Sequence, residues 1–178
     1  MSSSDPLSHF NPSESPNYGF VAPPQPSPNL RAFLAYISTA EAWDVDRTMD
    51  FFDDALEHRI LPQSLGRPVL NKRQYGEYLK ALRPFFKSYK VTIHEVIEAD
   101  DKMTAHASSK GVSVSGVPYA NEHVLIVHFV PPPVSAGPNA LPKMRLVKEY
   151  VDSSFSLTFF AQERAKAKER QERLSRGH

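Results

Sequence analysis

The chain has 178 residues, room for one domain with tails, and a net charge of +1, so no global field draws it toward nucleic acid or an anionic membrane. It has no cysteine, which excludes disulfides, thiol catalysis and thiolate-bound metal, and fits a reducing compartment. Hydrophobic residues make up 40% and charged residues 23%, an ordinary globular balance, and no apolar run approaches the roughly 20 residues a membrane helix needs. The stretch MSSSDPLSHF has neither the basic nor the apolar region of a secretory signal. A cytoplasmic protein with no membrane and no nucleic-acid partner is the expectation.

Residues 1–28 are rich in Ser and Pro; Pro lacks the backbone donor that ladders and helices need, and the stretch offers little apolar surface to bury. They read as a disordered tail in which Phe10, Tyr18 and Phe20 are the groups able to dock. Asn29 reads as an N-cap, and Leu30, Phe33, Leu34, Ile37 and Ala40 fall at helical spacing. Asp44 or Asp46 opens a second short helix, Arg47 to Asp53. Leu56 to Leu61 reads as a short strand ending at Pro62, followed by turn chemistry at Leu65-Gly66-Arg67-Pro68. Asn71 caps a third helix that carries Tyr75, Tyr78, Leu79, Leu82, Phe85 and Phe86, with Pro84 kinking its last turn.

From Lys90 the apolar period changes from 3.6 to 2. Lys90–Ala99 and Lys102–Lys110 form a hairpin about Asp100-Asp101, and the tight turn sets Glu95 opposite His106 and His94 opposite Ala107. Gly111–Pro118 is a loop. Tyr119–Val130, YANEHVLIVHFV, is a buried strand with a carboxylate and two imidazoles in it; polar groups in a core strand suggest a cavity wall. A proline-rich connection leads to a last strand, Met144–Asp152, and then to a helix, Phe155–Leu174. Its run ERAKAKERQERL interleaves acid and base as a solvated helix does. Helices, then a meander of long strands, then a helix make an α+β fold: three N-terminal helices cover the concave face of a strongly curved antiparallel sheet, with a C-terminal helix after it.

Trp43-Asp44-Val45-Asp46, Ile60-Leu61-Pro62, Tyr119-Ala120-Asn121-Glu122 and Lys148-Glu149-Tyr150-Val151-Asp152-Ser153 together resemble the SnoaL-like group of the nuclear transport factor 2-like superfamily. The likeness covers about residues 29–163, which would be the domain, leaving 164–178 as a charged helical extension. The resemblance implies a cone-shaped fold, a deep pocket between helices and sheet, and a homodimer across the sheet's outer face. By comparison with scytalone dehydratase-like relatives, helix 1 would lend the pocket a tyrosine and an acid. Tyr36 and Glu41 are the candidates, with Ala40 standing where a further tyrosine would assist the acid.

Glu122 and Glu149 lie on strands that should be neighbours. If both face the cavity, like charges raise one pKa and give a proton donor beside a proton acceptor; the alternative is that each pairs with a basic residue or caps a loop. His128 shares parity with Glu122, Val124 and Ile126 and is then a second base, while His123 points out; a one-residue slip reverses these assignments. His94 falls on the hairpin face of Met103, Ala105 and Ala107, which makes it a pocket candidate, and His106 beside Glu95 reads as a surface pair. Trp43, Tyr75 and Tyr78 are pocket wall or simple core. Asp152 faces the pocket mouth or caps the final helix. No histidine spacing suggests a metal, and no phosphate loop, nucleophile elbow or dinucleotide fingerprint is present, so no cofactor is expected. Two functions remain open. One is a cofactor-independent lyase or isomerase, dehydratase- or cyclase-like, acting on a small apolar carbonyl or polyketide-like compound. The other is a non-catalytic dimeric module that binds a small ligand or a protein. Clamping of either glutamate by Lys148 or Arg145 would favour the second.

Overall fold

The computed structural model describes residues 19–176; most of the expected tail, with Phe10 and Tyr18, lies outside them. Phe20 does dock: its N–H donates to the Ile93 carbonyl at 2.9 Å and its ring packs on the core.

The helices begin where side chains satisfy their first free N–H groups. Helix α1 is Pro28–Glu41 and is capped by Ser27, whose oxygen accepts from the Leu30 N–H; Asn29, the expected cap, instead reaches the Asp100 carbonyl. Helix α2 is Val45–Met49, capped by Asp44, and strand β1, Phe52–Leu61, starts where this helix was expected to continue. Asn71 and Gln74 form a reciprocal capping box on α3, Lys72–Leu82. Pro84 ends that helix rather than kinking it: a 3-10 turn, Arg83–Phe85, leads straight into β2, Phe86–Ala99.

Strands β3, Lys102–Ser113, β4, Pro118–Val130, and β5, Lys143–Val151, complete a five-stranded sheet in the order β1-β5-β4-β3-β2. The meander is antiparallel as expected, and β1 joins its edge parallel to β5, so the sheet is mixed. On β3 the residues Met103, Ala105, Ala107 and Ser109 are buried; on β4 they are Tyr119, Asn121, His123, Leu125, Val127 and Phe129. This is the face the helices cover: Leu30, Phe33 and Tyr36 of α1 and Tyr75 of α3 share one apolar cluster with it. Small side chains on β3 let the sheet bend toward the helices, and a bulge between Phe86 and Ser88 carries β2 so close to Gly111 that any side chain there would overlap the Ser88 carbonyl.

Helix α4, Ser153–Arg176, closes the wide end. Asp152 accepts from the Phe155 N–H and so caps it. Phe155, Phe159 and Phe160 pack on Tyr119, Phe86 and Phe85. Glu163, 2% exposed, accepts from Ser115 in the β3–β4 turn.

Candidate active site

The helices and the sheet leave a cavity of about 130 Å³ between them. A single water needs only about 10–15 Å³, so the hollow suits a small organic molecule. Its walls are largely apolar and rich in aromatic rings: Tyr36 from α1, Tyr75 and Tyr78 from α3, Phe86 and Tyr89 from β2, and Phe160 from α4 all line it.

Trp43 enters the cavity by an unusual backbone route. It follows the end of α1 with φ of 54°. Its N–H bonds the Ala40 carbonyl and the Asp44 N–H bonds the Thr39 carbonyl, each at 3.1 Å. This is a Schellman closure with tryptophan in the left-handed position that usually holds glycine. A side chain there costs about 1–2 kcal/mol. The gain is an indole turned back over the pocket, stacked on Phe86 at 5.4 Å.

Glu149 is the acid of the site. It stands on β5 opposite Leu125 and lines the cavity with a fifth of its side chain exposed. Its Oε1 is 3.0 Å from His123 Nδ1, and His123 Nε2 is 2.6 Å from Ser109 Oγ. A carboxylate only accepts, so His123 donates through Nδ1; in the neutral ring Nε2 then accepts from the serine hydroxyl. Burial pushes the Glu149 carboxyl up, but the His123 hydrogen bond and the two imidazoles pull it down further, so it lies below the ordinary carboxylate value. Its other oxygen, Oε2, faces His58 Nε2 at 3.6 Å.

His58 is fully buried on β1, its ring stacked 3.9 Å from that of Tyr75, and neither ring nitrogen has a hydrogen-bond partner among the described residues. Burial holds its pKa down at about 4, with the charge of Glu149 opposing, so at neutral pH the ring is uncharged. The Tyr75 hydroxyl lies 3.3 Å from that of Tyr36. Burial and the negative charge of Glu149 raise both phenols, so they stay protonated as donors. Burial likewise lifts Tyr119 to about 12.

Of the residues singled out from sequence, Tyr36, Trp43, Tyr78 and Glu149 line this cavity. Glu122 and His128 do not. The face of β4 that turns inward is the opposite of the one expected, because Leu125 and His123 lie across from Ala105 and Ala107 on the small-residue face of β3. Glu122 is on the outer face, paired with His106 at 2.6 Å, and no carboxylate pair forms. His94 is at a bulge: Glu95 does face His106, but Ile93 rather than His94 faces Ala107. The bulge turns His94 to the outer face, where its Nε2 meets Ser108. Glu41 fastens α1 to β2 by accepting from the Val91 N–H at 2.7 Å and from Lys90. Asp152 is the cap of α4.

The sequence reading turned His123 outward, whereas it is buried and lines the cavity, and it passed over Ser109 and His58. The signal for the first two was the inward face of β3 carried across the turn into β4. For His58 it was the alternation Leu56, His58, Ile60, with every member buried. Among the described residues, the titratable groups within 4 Å of the Glu149 carboxylate are His58 and His123, and neither Lys148 nor Arg145 reaches it. No group of three His, Asp or Glu side chains among the described residues is placed to hold a metal ion.

A curved sheet closed by helices over an aromatic, acid-bearing hollow defines a cone-fold protein with a small-molecule pocket. No protein-family model matches the chain. It is 30% identical over 132 residues to "Monooxygenase AgnL5" of Paecilomyces divaricatus, across 73% of this chain and 74% of that one. The chain therefore belongs to the same family as that relative, and its fold is the nuclear transport factor 2-like cone expected from the SnoaL-like resemblance. "Monooxygenase AacuO" of Aspergillus aculeatus is 36% identical over 78 residues, a stretch spanning 43% of this chain and about half, 49%, of that relative. The fold is shared with the crystal structure of the BvnE pinacolase from Penicillium brevicompactum, at a TM-score of 0.63, 22% identity, and coverage of 77% of this chain and 94% of that one. Fungal small-molecule enzymes thus use this architecture.

Proposed function

We propose that the protein is an enzyme that moves a proton on a small, largely apolar aromatic or carbonyl compound, with Glu149 as general base. The observation that carries this reading is the state of Glu149. It is an ionised carboxylate in an aromatic cavity, held at Oε1 by His123, with Oε2 left without a hydrogen bond. Oε2 takes a proton from a C–H beside a carbonyl, and the electron pair moves onto the carbonyl oxygen. The protonated tyrosine hydroxyls of Tyr36 and Tyr75 are the donors suited to that oxyanion. Returning the proton to another carbon isomerises the compound; delivering it to a departing hydroxyl releases water and dehydrates it.

The names of the two curated relatives favour a second outcome for the same carbanion. Addition of dioxygen forms a C–O bond and a peroxide, which takes up the proton; loss of water from the hydroperoxide then leaves a carbonyl. Dioxygen is the oxidant and supplies both the new carbonyl oxygen and the oxygen of the water. The two outcomes share their first step.

That step is tested by following deuterium uptake from D2O into aromatic ketones by proton NMR, with an oxygen electrode alongside. Wild type should exchange and Glu149→Gln should lose at least about 100-fold. Unchanged exchange in the variant removes Glu149 from any catalytic role. Binding without exchange or oxygen uptake leaves the non-catalytic module as the better reading. A homodimer across the outer sheet face is part of the proposal, supported by Ile97 and Tyr150, which are 58% and 45% exposed there; light scattering tests it.

A further inference from the structure

Two formal charges line the cavity, and they are of opposite sign. Glu149 stands on the sheet. Arg67 stands in the loop between β1 and α3, just after Gly66, whose φ of 62° turns the chain. Arg67 is exposed, so it marks the mouth, while Glu149 is four-fifths covered. Among the described residues no ion pair takes up the Arg67 guanidinium, although Arg59 and Arg73, on either side of it in sequence, are both paired. The Tyr78 phenol feels both charges: burial raises its pKa, Glu149 adds to the rise and Arg67 opposes it.

A ligand that fills this space meets a largely covered negative charge, several aromatic side chains and an exposed guanidinium that no ion pair among the described residues takes up. An anionic group is repelled from Glu149 in a water-poor site and attracted to Arg67. The fork of a guanidinium matches a carboxylate with two parallel hydrogen bonds, and its plane stacks on aromatic faces, neither of which an ammonium does as well. We propose that the cavity takes aromatic carboxylates, with the carboxylate held by Arg67 at the mouth and the far end of the ring system presented to Glu149. This rests on the small-molecule reading of the same cavity and adds the chemical class of its ligand. It also assigns Arg67 a binding role.

Trp43 is the chain's one tryptophan and lines the cavity, so its emission reports occupancy without any turnover. The full-length protein is titrated with 2-naphthoate and with its neutral counterpart, naphthalene-2-methanol. Wild type should bind the naphthoate about tenfold more tightly, equivalent to about 1.4 kcal/mol. Arg67→Gln should bring the two within about twofold by weakening the naphthoate and leaving the alcohol unchanged, and Arg67→Lys should keep part of the preference. The preference should also shrink as salt is raised, since Arg67 is exposed. Equal affinities in wild type, or a preference that survives Arg67→Gln, overturns the anchor while leaving the pocket intact. If neither compound perturbs Trp43, the anchor falls together with the small-molecule reading.

Discussion

Each face of the one sheet carries a histidine–glutamate pair. On the outside His106 and Glu122 meet at 2.6 Å, with 38% and 70% of their side chains exposed. On the inside His123 and Glu149 meet at 3.0 Å, with 9% and 20% exposed. The shorter contact is the less consequential one. Water and salt screen the outer pair, and holding two free side chains together costs rotamer entropy. The inner pair is shielded by aromatic rings, extended by Ser109 on one side, and left open at one oxygen on the other. Distance alone would have ranked them the wrong way round.

Exchanging one carboxylate on each face gives the largest expected contrast. Glu149→Gln should lower deuterium exchange by at least about 100-fold, and Glu122→Gln should leave it within about twofold. Equal losses would mean that the inner face has no special standing.

The next contrast is in stability against pH. His58 has a folded pKa of about 4 against an ordinary 6.5. The unfolded chain therefore takes up this proton first, and the folded state loses stability as pH falls from 6.5 toward 4. The slope is about 1.4 kcal/mol per pH unit, roughly 3 kcal/mol in all. Urea unfolding across that range should show it, and His58→Phe, which keeps a ring against Tyr75, should abolish it. The same variant should be about 1 kcal/mol more stable at pH 7, because it removes two buried nitrogens that lack partners. A slope that persists in His58→Phe would place its origin in another histidine.

Glu149 acts in a lower window and with the carboxylate's sign. Its folded pKa lies below its ordinary value of 4.5. The stability it contributes is present above that value and is lost as pH falls through the folded pKa. Glu149→Gln should remove the carboxylate's own part of the acid limb and extend the His58 slope to lower pH, because the charge that opposed the drop in the His58 pKa is gone. The smallest effect belongs to the outer pair: His106→Ala should change unfolding free energy by less than about 1 kcal/mol, and less still in high salt.

Much of the architecture was legible in the chain because local chemistry decides it. Asp44 and Asn71 announce helices α2 and α3, the change of period near residue 90 announces the sheet, and Asp100-Asp101 fixes the first hairpin. The site was harder to read because it depends on parity, which a single residue reverses. The bulge at His94 is invisible in an alternating pattern, since nothing local marks it. The face of β4 was readable only through β3. Val124, Ile126 and His128 look as apolar as Leu125, Val127 and Phe129 until Ala105 and Ala107 show which set lies beneath the helices. Tyr36 was found through a resemblance to relatives and Trp43 as aromatic wall or core material, and the strained turn that aims Trp43 cannot be seen in composition at all.

Helix α4 is held at its third turn, where Glu163 is tucked under the β3–β4 turn against Ser115. Before that point Ser156, Leu157 and Phe160 line the cavity; after it, residues 164–176 are exposed. The helix is thus a stopper with a projecting handle. A protease that trims the handle should leave the container unchanged, whereas Glu163→Leu should loosen the stopper and expose Glu149 further without altering a single residue that touches the guest.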